Sequence, residues 1–302
     1  MSGERLRFGV LGASWIAGRA MLDALHAAGN AVPVAIASRD VDRASLMAQS
    51  HGIAAVHPSY EALLADEGVD AVYIGLVNSS HRAWTLRALA AGKHVLCEKP
   101  LAMSAPEARD MAAAASAARR TLMEAFMYRF HPRMQQLRES AGEPRYMHAA
   151  FSFALTDVAN YRMQPALGGG ALLDAGCYTL DVARWFLGEP ATVSAALHGV
   201  PVDTSVAALL TFDSGAQASA WASFEAPEHQ ELILVAASGV RHVARPFTAW
   251  RDPHDPYQLM VEAFSSSVLN GTPPPRSLED SVATAELIDR VRAADTLGRP
   301  GA

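Results

Sequence analysis

Cysteine is scarce in this chain: Cys97 and Cys177 are the only two in 302 residues. Two thiols cannot build a disulfide framework, so the fold must rest on its apolar core, and a reducing cytoplasmic setting fits. Clustered basic charge is missing too. The 25 Lys and Arg are interspersed with 31 Asp and Glu, for a formal net charge of −6. Without a basic stripe nothing is gathered to bind the phosphates of a nucleic acid, which argues against that partner class. No apolar run is long enough to span a bilayer, so no membrane is expected as a partner. Arg5 and Arg7 precede an apolar stretch as in a secretory signal, but Gly9, Gly12 and Gly18 break it, and it reads better as a strand entering a turn. The histidines show no metal-ligand spacing, and no metal is expected.

Half of the residues are hydrophobic, and the length exceeds what one typical domain needs, so two packed domains are expected. The first part alternates strands and helices. Apolar runs at Leu6–Leu11, Val32–Ala37, Ala71–Gly75, His94–Cys97 and Thr121–Ala125 read as buried parallel strands. Helical segments at Ser14–Ala28, Val41–His51, Tyr60–Leu64, Ser80–Ala91 and Ala105–Arg119 separate them. This predicts an α/β fold that opens with a Rossmann-type, doubly wound parallel sheet.

The pattern then changes. Tyr146–Phe153, Val193–Gly199, Val206–Phe212, Ala216–Phe224 and Leu232–Ala237 read as antiparallel strands separated by turn residues. A helix over Ala171–Phe186 interrupts them, and helices at Tyr257–Leu269 and Leu278–Ala294 end the chain. The expected second domain is α+β, on an open, mainly antiparallel sheet. The boundaries follow as a dinucleotide domain over 1–125 and a substrate-binding and oligomerisation domain over 126–302, with the C-terminal helices as candidates to pack back on the first. A one-sided apolar sheet face is unstable in water, so a homodimer or homotetramer is expected.

Gly12-Ala13-Ser14-Trp15-Ile16-Ala17 follows the first strand and opens the first helix, where a G-x-G-x-x-G/A dinucleotide fingerprint belongs. Gly12 makes the turn, Ala17 permits close packing, and the helix N-terminus offers free N–H groups to a pyrophosphate. Ser14 replaces the usual second glycine. The second strand ends in Ser38-Arg39, with no carboxylate at that point for a ribose 2′-hydroxyl. A hydroxyl and a guanidinium suit a 2′-phosphate, so NADP is expected in preference to NAD. The alternative for Arg39 is an ordinary surface arginine. Glu98-Lys99-Pro100 ends the strand begun at His94, and ligands of such sheets lie beyond the carboxyl ends of the strands. A lysine there can polarise a substrate oxygen or help move a proton. Three glycines, Gly168-Gly169-Gly170, lead a helix on which Asp174 and Tyr178 stand four apart, hence on one face. A carboxylate and a phenol there can handle a proton, and a nearby cation brings a phenol toward working pH.

Four segments in register resemble the glucose–fructose oxidoreductase, inositol dehydrogenase and rhizopine-catabolism (Gfo/Idh/MocA) family: the Gly12 turn, Glu98-Lys99-Pro100, the stretch Glu124–Pro132 and the triple-glycine helix. The resemblance runs over nearly the whole chain. It implies that Lys99 is catalytic. Tyr178 stands where many members have histidine, which resembles the branch of glucose–fructose oxidoreductase, dimeric dihydrodiol dehydrogenase and NADP-dependent xylose dehydrogenases. That branch implies Tyr178 as acid/base, assisted by Lys99 and supported by Asp174. The resemblance also places Asn78, His81, Glu98 and Arg129 at the cofactor, and Phe130 at the substrate. Arg162, in Asn160-Tyr161-Arg162, is a candidate for cofactor or substrate contact or for anchoring the helix. The family resemblance implies a longer excursion in many relatives where this chain has Arg245–Tyr257, so a rim of the substrate pocket or a subunit contact is expected to be missing here.

The implied activity is hydride transfer between a nicotinamide and a carbinol or carbonyl carbon of a sugar, polyol or cyclic diol. Two other classes share the motifs: a sensor that binds a dinucleotide without turnover, and a lyase or glycosidase that retains its redox cofactor. Intact Lys99, Asp174 and Tyr178 count against the first, and tyrosine rather than histidine at 178 counts against the second.

Overall fold

The computed structural model describes residues 4–248 and 253–296. Among these, the chain divides into two compact units. The first takes 4–102, 106–131 and 253–282, and the second takes 103–105, 132–248 and 283–296. The first unit thus runs to 131 and also takes in the C-terminal stretch 253–282.

The first unit opens with β1 (Leu6–Leu11), a π-turn at Ala17–Met21 and α1 (Leu22–Ala27). It continues through β2 (Ala31–Ala37), α2 (Val41–His51), β3 (Ala55–His57), α3 (Tyr60–Leu64), β4 (Ala71–Ile74) and α4 (Asn78–Ala90). Next come β5 (His94–Cys97), α5 (Ala105–Ala118) and β6 (Leu122–Glu124). The sheet order is β3-β2-β1-β4-β5-β6, with every pairing parallel. Beside β1 the order reverses, and ligands of such sheets bind at that switch point. β4 is buried at every residue, as a strand covered on both faces must be.

The second unit holds α6 (Pro132–Ser140), β7 (Pro144–Ser152), short 3₁₀ turns at Tyr161–Met163 and Pro165–Leu167, a π-turn at Leu172–Gly176 and α7 (Cys177–Leu187). Five strands follow: β8 (Thr192–His198), β9 (Ser205–Thr211), β10 (Gln217–Ser223), β11 (His229–Ala236) and β12 (Gly239–Ala244). Their order is β12-β11-β7-β10-β9-β8. All neighbours are antiparallel except β7 and β10, which pair in parallel. The sheet is thus mainly antiparallel, as expected, with one parallel pair inside it. The chain passes from β7 through α7 before β10 is laid beside it, and a crossover of that kind returns a strand in the same direction. Buried alanines at 149, 218, 220 and 222 give the inner face the low relief that a closely packed helix needs.

Two helices complete the chain, α8 (Pro256–Asn270) and α9 (Leu278–Ala293). α8 belongs to the first unit, where Phe264 meets Phe8 with ring centroids 5.7 Å apart. Asn30 Nδ2 donates to Glu262 O and Ser266 Oγ, each at 2.9 Å.

Candidate active site

The glycine turn is sterically set. Gly12 has φ +103, and a Cβ on it would lie 2.8 Å from Leu76 Cδ2 and 3.0 Å from Gly75 O. Only glycine fits that cradle. Helical backbone begins at Trp15 rather than Ser14, because Ser14 Oγ accepts the Ala17 N–H at 3.3 Å and caps the helix. The serine that replaces the second glycine is therefore built into the helix start, with its own proton still available to an anion. Ile16 continues the first turn, and buried Ala17 opens the π-turn. Trp15 stands 72% exposed, with the Arg19 guanidinium 5.2 Å from its ring centroid.

Next to this turn lies a cavity of about 480 Å³ lined by Ser38, Arg39, Pro58, Ser59, Tyr60, Glu61, Leu76, Val77, Ser80 and Trp84. A space of this size, flanked by a helix N-terminus and a guanidinium, fits the adenosine end of a dinucleotide. Ser38 Oγ accepts the Asp40 N–H at 3.2 Å. Asp40 is the nearest carboxylate on this strand end, and its Oδ1 accepts the Arg43 N–H at 3.0 Å to cap α2. Arg39 is thus the charged side chain of that strand end exposed at the cavity. The sequence reading missed the aromatic wall. Trp84 meets Tyr60 edge-on at 4.7 Å, and the Arg87 guanidinium lies 4.6 Å over its ring.

The lysine turn is pinned along its length. Tyr73 Oη donates to Glu98 Oε1 at 2.9 Å, and the Lys99 N–H donates to Glu98 Oε2 at 3.2 Å. Burial and the Glu98 carboxylate push the Tyr73 phenol well above its usual range, which keeps it a donor. The Lys99–Pro100 peptide is cis. His81 is fully buried, with Nδ1 2.8 Å from Pro100 O and Nε2 3.1 Å from Leu76 O. Burial pushes its pKa down, as does the Lys99 charge, against the pull of the two carbonyls. A neutral imidazole donates from one nitrogen, and we assign that bond to the shorter contact, Nδ1 to Pro100 O. The His81 ring is therefore a strut between the β4 loop and the lysine turn. Asn78, buried, is the first residue of α4. Arg129 Nη1 donates to Asp280 Oδ2 at 2.6 Å, so its guanidinium is engaged within the protein. Phe130, half-buried, closes the 3₁₀ turn Met127–Phe130.

In the second unit, the triple glycine threads between two neighbours. A Cβ on Gly169 would strike Arg162 O, and one on Gly170, at φ +117, would lie 2.6 Å from Asp203 Oδ1. The Gly170 N–H donates to Arg162 O at 2.9 Å. Asp203 caps the helical run that follows, its O accepting Ala171 N–H at 2.7 Å and its Oδ2 accepting Leu172 N–H at 2.6 Å. A carboxylate at a helix N-terminus also meets the positive end of the dipole. The run starts as a π-turn carrying Asp174 and becomes α7 carrying Tyr178. Single π-turns inside helices often mark functional sites.

Arg162 Nε donates to Asp174 Oδ2 at 2.7 Å. Burial lowers the Arg162 pKa, but Asp174 and the tyrosines 161 and 178 outweigh it and raise it overall. The guanidinium is therefore permanently charged and acts on Tyr178 as well as Asp174. Arg162 thus ties the Tyr161–Met163 turn to the start of this helical run. The Tyr178 ring is buried between Phe151, at 5.5 Å, and Phe247, at 5.4 Å. Those two stack on each other at 5.7 Å and 14°. Asp203, Phe151 and Phe247 were not picked out from the sequence. An Asp among turn residues and alternating phenylalanines in strands carry no signal of their own. Part of the short segment 245–257 lies outside the described residues.

Among the described residues no group of three His, Cys, Asp or Glu could hold a metal ion. No described helix is long and apolar enough to cross a membrane.

The six-stranded parallel sheet, its glycine turn and the pinned lysine define a dinucleotide-dependent oxidoreductase. Residues 6–126 match the oxidoreductase family with an NAD-binding Rossmann fold, and residues 135–240 match the GFO/IDH/MocA C-terminal domain. The chain belongs to the Gfo/Idh/MocA family. It is 39% identical to D-xylose 1-dehydrogenase (NADP(+)) 2 of Haloferax volcanii, over 95% of this chain and 96% of that one. It is 35% identical to a trans-1,2-dihydrobenzene-1,2-diol dehydrogenase of Xenopus tropicalis, covering 72% and 68%. A 3-ketoreductase from Actinomadura kijaniata, crystallised with NADP and TDP-benzene, superposes with a TM-score of 0.90 at 34% identity, covering 97% and 98%.

Proposed function

We propose that the protein is an NADP-dependent dehydrogenase or reductase acting on a carbinol or carbonyl carbon of a sugar, polyol or cyclic diol. The observation that carries the proposal is a phenol, Tyr178, beside a guanidinium, Arg162, that is fixed by Asp174. A cation so placed favours the ionised form of the phenol, which suits a group that gives up and regains a proton. The relatives named above are by name a D-xylose dehydrogenase, a dihydrobenzenediol dehydrogenase and a 3-ketoreductase, which supports this substrate range.

The residues fit a dinucleotide. Gly12 and the helix start would receive the pyrophosphate, the cavity beside Leu76 and Trp84 the adenosine, and Ser38 with Arg39 a 2′-phosphate. When bound, the nicotinamide supplies or accepts the hydride. Tyr178 takes the hydroxyl proton in oxidation and returns it in reduction. Asp174 holds Arg162 so that its charge stays on Tyr178, and Lys99 assists by polarising the substrate oxygen. Phe151 and Phe247 exclude water around the phenol, which strengthens every charge interaction there.

We also propose a cytoplasmic homodimer, or a dimer of dimers, joined through the outer sheet face. Leu209, Tyr146 and Val240 are exposed on it, and such a face calls for a cover. A monomer mass in light scattering would reject the dimer.

The activity is tested by following NADPH with purified protein, NADP and a panel of aldoses, polyols and cyclic diols. Turnover with one group of substrates supports the reading. NADPH binding with no turnover in either direction would replace it with a sensor.

A further inference from the structure

Behind the lysine turn lies an ion pair that neither the motifs nor the proposed chemistry explains. Glu124 and Arg276 are buried to 2% and 1% side-chain exposure, and their Oε2 and Nη2 are 2.8 Å apart. Arg276 Nε also reaches Glu124 Oε2 at 3.2 Å, so the contact is two-pronged. The other carboxylate oxygen, Oε1, accepts the backbone N–H of Leu101 at 2.7 Å. Leu101 is the second residue after Lys99.

The network extends outward. Arg276 Nη1 donates to Asp280 Oδ2 at 2.9 Å, and Nε lies 3.1 Å from Ser281 Oγ. Arg129 Nη1 meets the same Asp280 oxygen at 2.6 Å. The Arg276 guanidinium lies 4.7 Å over the Phe126 ring. Alternating charges thus run from the Leu101 amide through Glu124, Arg276 and Asp280 to Arg129, tying the end of β6 and the start of α9 to the lysine turn.

A buried ion pair is a poor device for stability alone, because well-packed apolar side chains of the same volume usually do as well or better. What it can do that apolar groups cannot is hold a backbone amide in a fixed direction. The Leu101 N–H lies past the end of β5, where no neighbouring strand offers it a carbonyl. Glu124 supplies that acceptor, and the Arg276 guanidinium pairs with the carboxylate so that it is not buried alone. With His81 on Pro100 O and Glu98 on the Lys99 N–H, three contacts surround one residue. Reactive side chains must be held within a fraction of an ångström, and a misplacement of about 1 Å costs on the order of a hundredfold in rate.

We propose that Glu124 and Arg276 are positioning residues for Lys99, acting through the backbone of the Lys99-Pro100-Leu101 turn. The proposal rests on the reading of Lys99 as catalytic.

The test is a double-mutant cycle between Lys99→Met and Arg276→Met, with Arg276→Lys as the conservative variant. Turnover is read beside NADPH affinity from tryptophan quenching. Hydrogen exchange is read on the peptide that contains Leu101. Arg276→Met should lower kcat about tenfold or more with NADPH affinity held within about threefold, and should speed exchange at Leu101. Arg276→Lys should restore part of kcat. In the Lys99→Met background Arg276→Met should cost little more, because its effect passes through the lysine. Losses that multiply in full, or exchange at Leu101 that stays slow, would overturn the proposal. If Arg276→Met does not fold, Asp280→Asn, at the network's more exposed end, enters the same cycle with the same criteria. Wild-type turnover by Lys99→Met would instead reject the underlying reading of Lys99.

Discussion

Arg162 Nε lies 2.7 Å from Asp174 Oδ2, and the same guanidinium acts on Tyr178. The phenol proposed as acid/base therefore has a cation within its own unit. Arg162→Gln should move the rising limb of the kcat–pH profile for oxidation upward by about one unit or more, because the phenolate loses its partner. Asp174→Asn should lower kcat with a smaller shift, since the guanidinium keeps its charge but loses its anchor. An unmoved limb in Arg162→Gln would remove the arginine from the proton step.

Gly170 holds φ +117 against the Asp203 carboxylate. Gly170→Ala should destabilise the fold by about 2 kcal/mol or more, from backbone strain and the displaced cap. Urea unfolding measures this. Asp203→Ala should cost about 1–2 kcal/mol through the lost cap alone. The two should not add, because they disturb one contact.

Arg39 lines the cavity beside Leu76 and Trp84, and the carboxylate of its strand end, Asp40, is committed to the cap of α2. Arg39→Asp should raise KM for NADP about tenfold or more and leave KM for NAD unchanged or lower, as repulsion replaces pairing with the 2′-phosphate. Comparison of kcat/KM for the two cofactors reads this out. Equal effects on both would make Arg39 a general surface charge.

His94 accepts the Thr121 N–H on Nδ1 at 3.0 Å, and its pKa is pushed down to about 4, chiefly by burial and next by Arg120. An unfolded histidine titrates near 6.5. With the folded value below the unfolded one, the unfolded chain binds the extra proton first. The stability contribution is therefore complete above about pH 6.5 and is lost as pH falls toward 4. Thermal melts should show Tm falling across that window. His94→Asn, which keeps an acceptor for Thr121, should flatten the fall.

Much of the first unit could be read from sequence because buried parallel strands are uninterrupted apolar runs and its turns demand particular residues. β1, Gly12 and the Glu98-Lys99-Pro100 turn are of that kind. β3 was not foreseen, since three residues with none of them buried give no period. β12 was missed for a related reason: Arg241 and His242 sit in an edge strand with almost no buried face. α6 is nearly all polar and buries only Met134. The parallel pairing of β7 with β10 is a property of the chain path, which no local pattern encodes. At the candidate site, residues with a special conformation or reactive group were legible. Those that act by contact across long sequence distances, such as Asp203 and Arg276, were not.

Tyr178→Phe is the most direct measurement. It removes one hydroxyl and leaves the ring packed between Phe151 and Phe247, so stability and NADPH affinity should hold. With the best substrate of the panel, kcat should fall about a hundredfold or more in both directions. A variant that turns over as fast as wild type would contradict the account, since the proton would then travel through some group other than Tyr178.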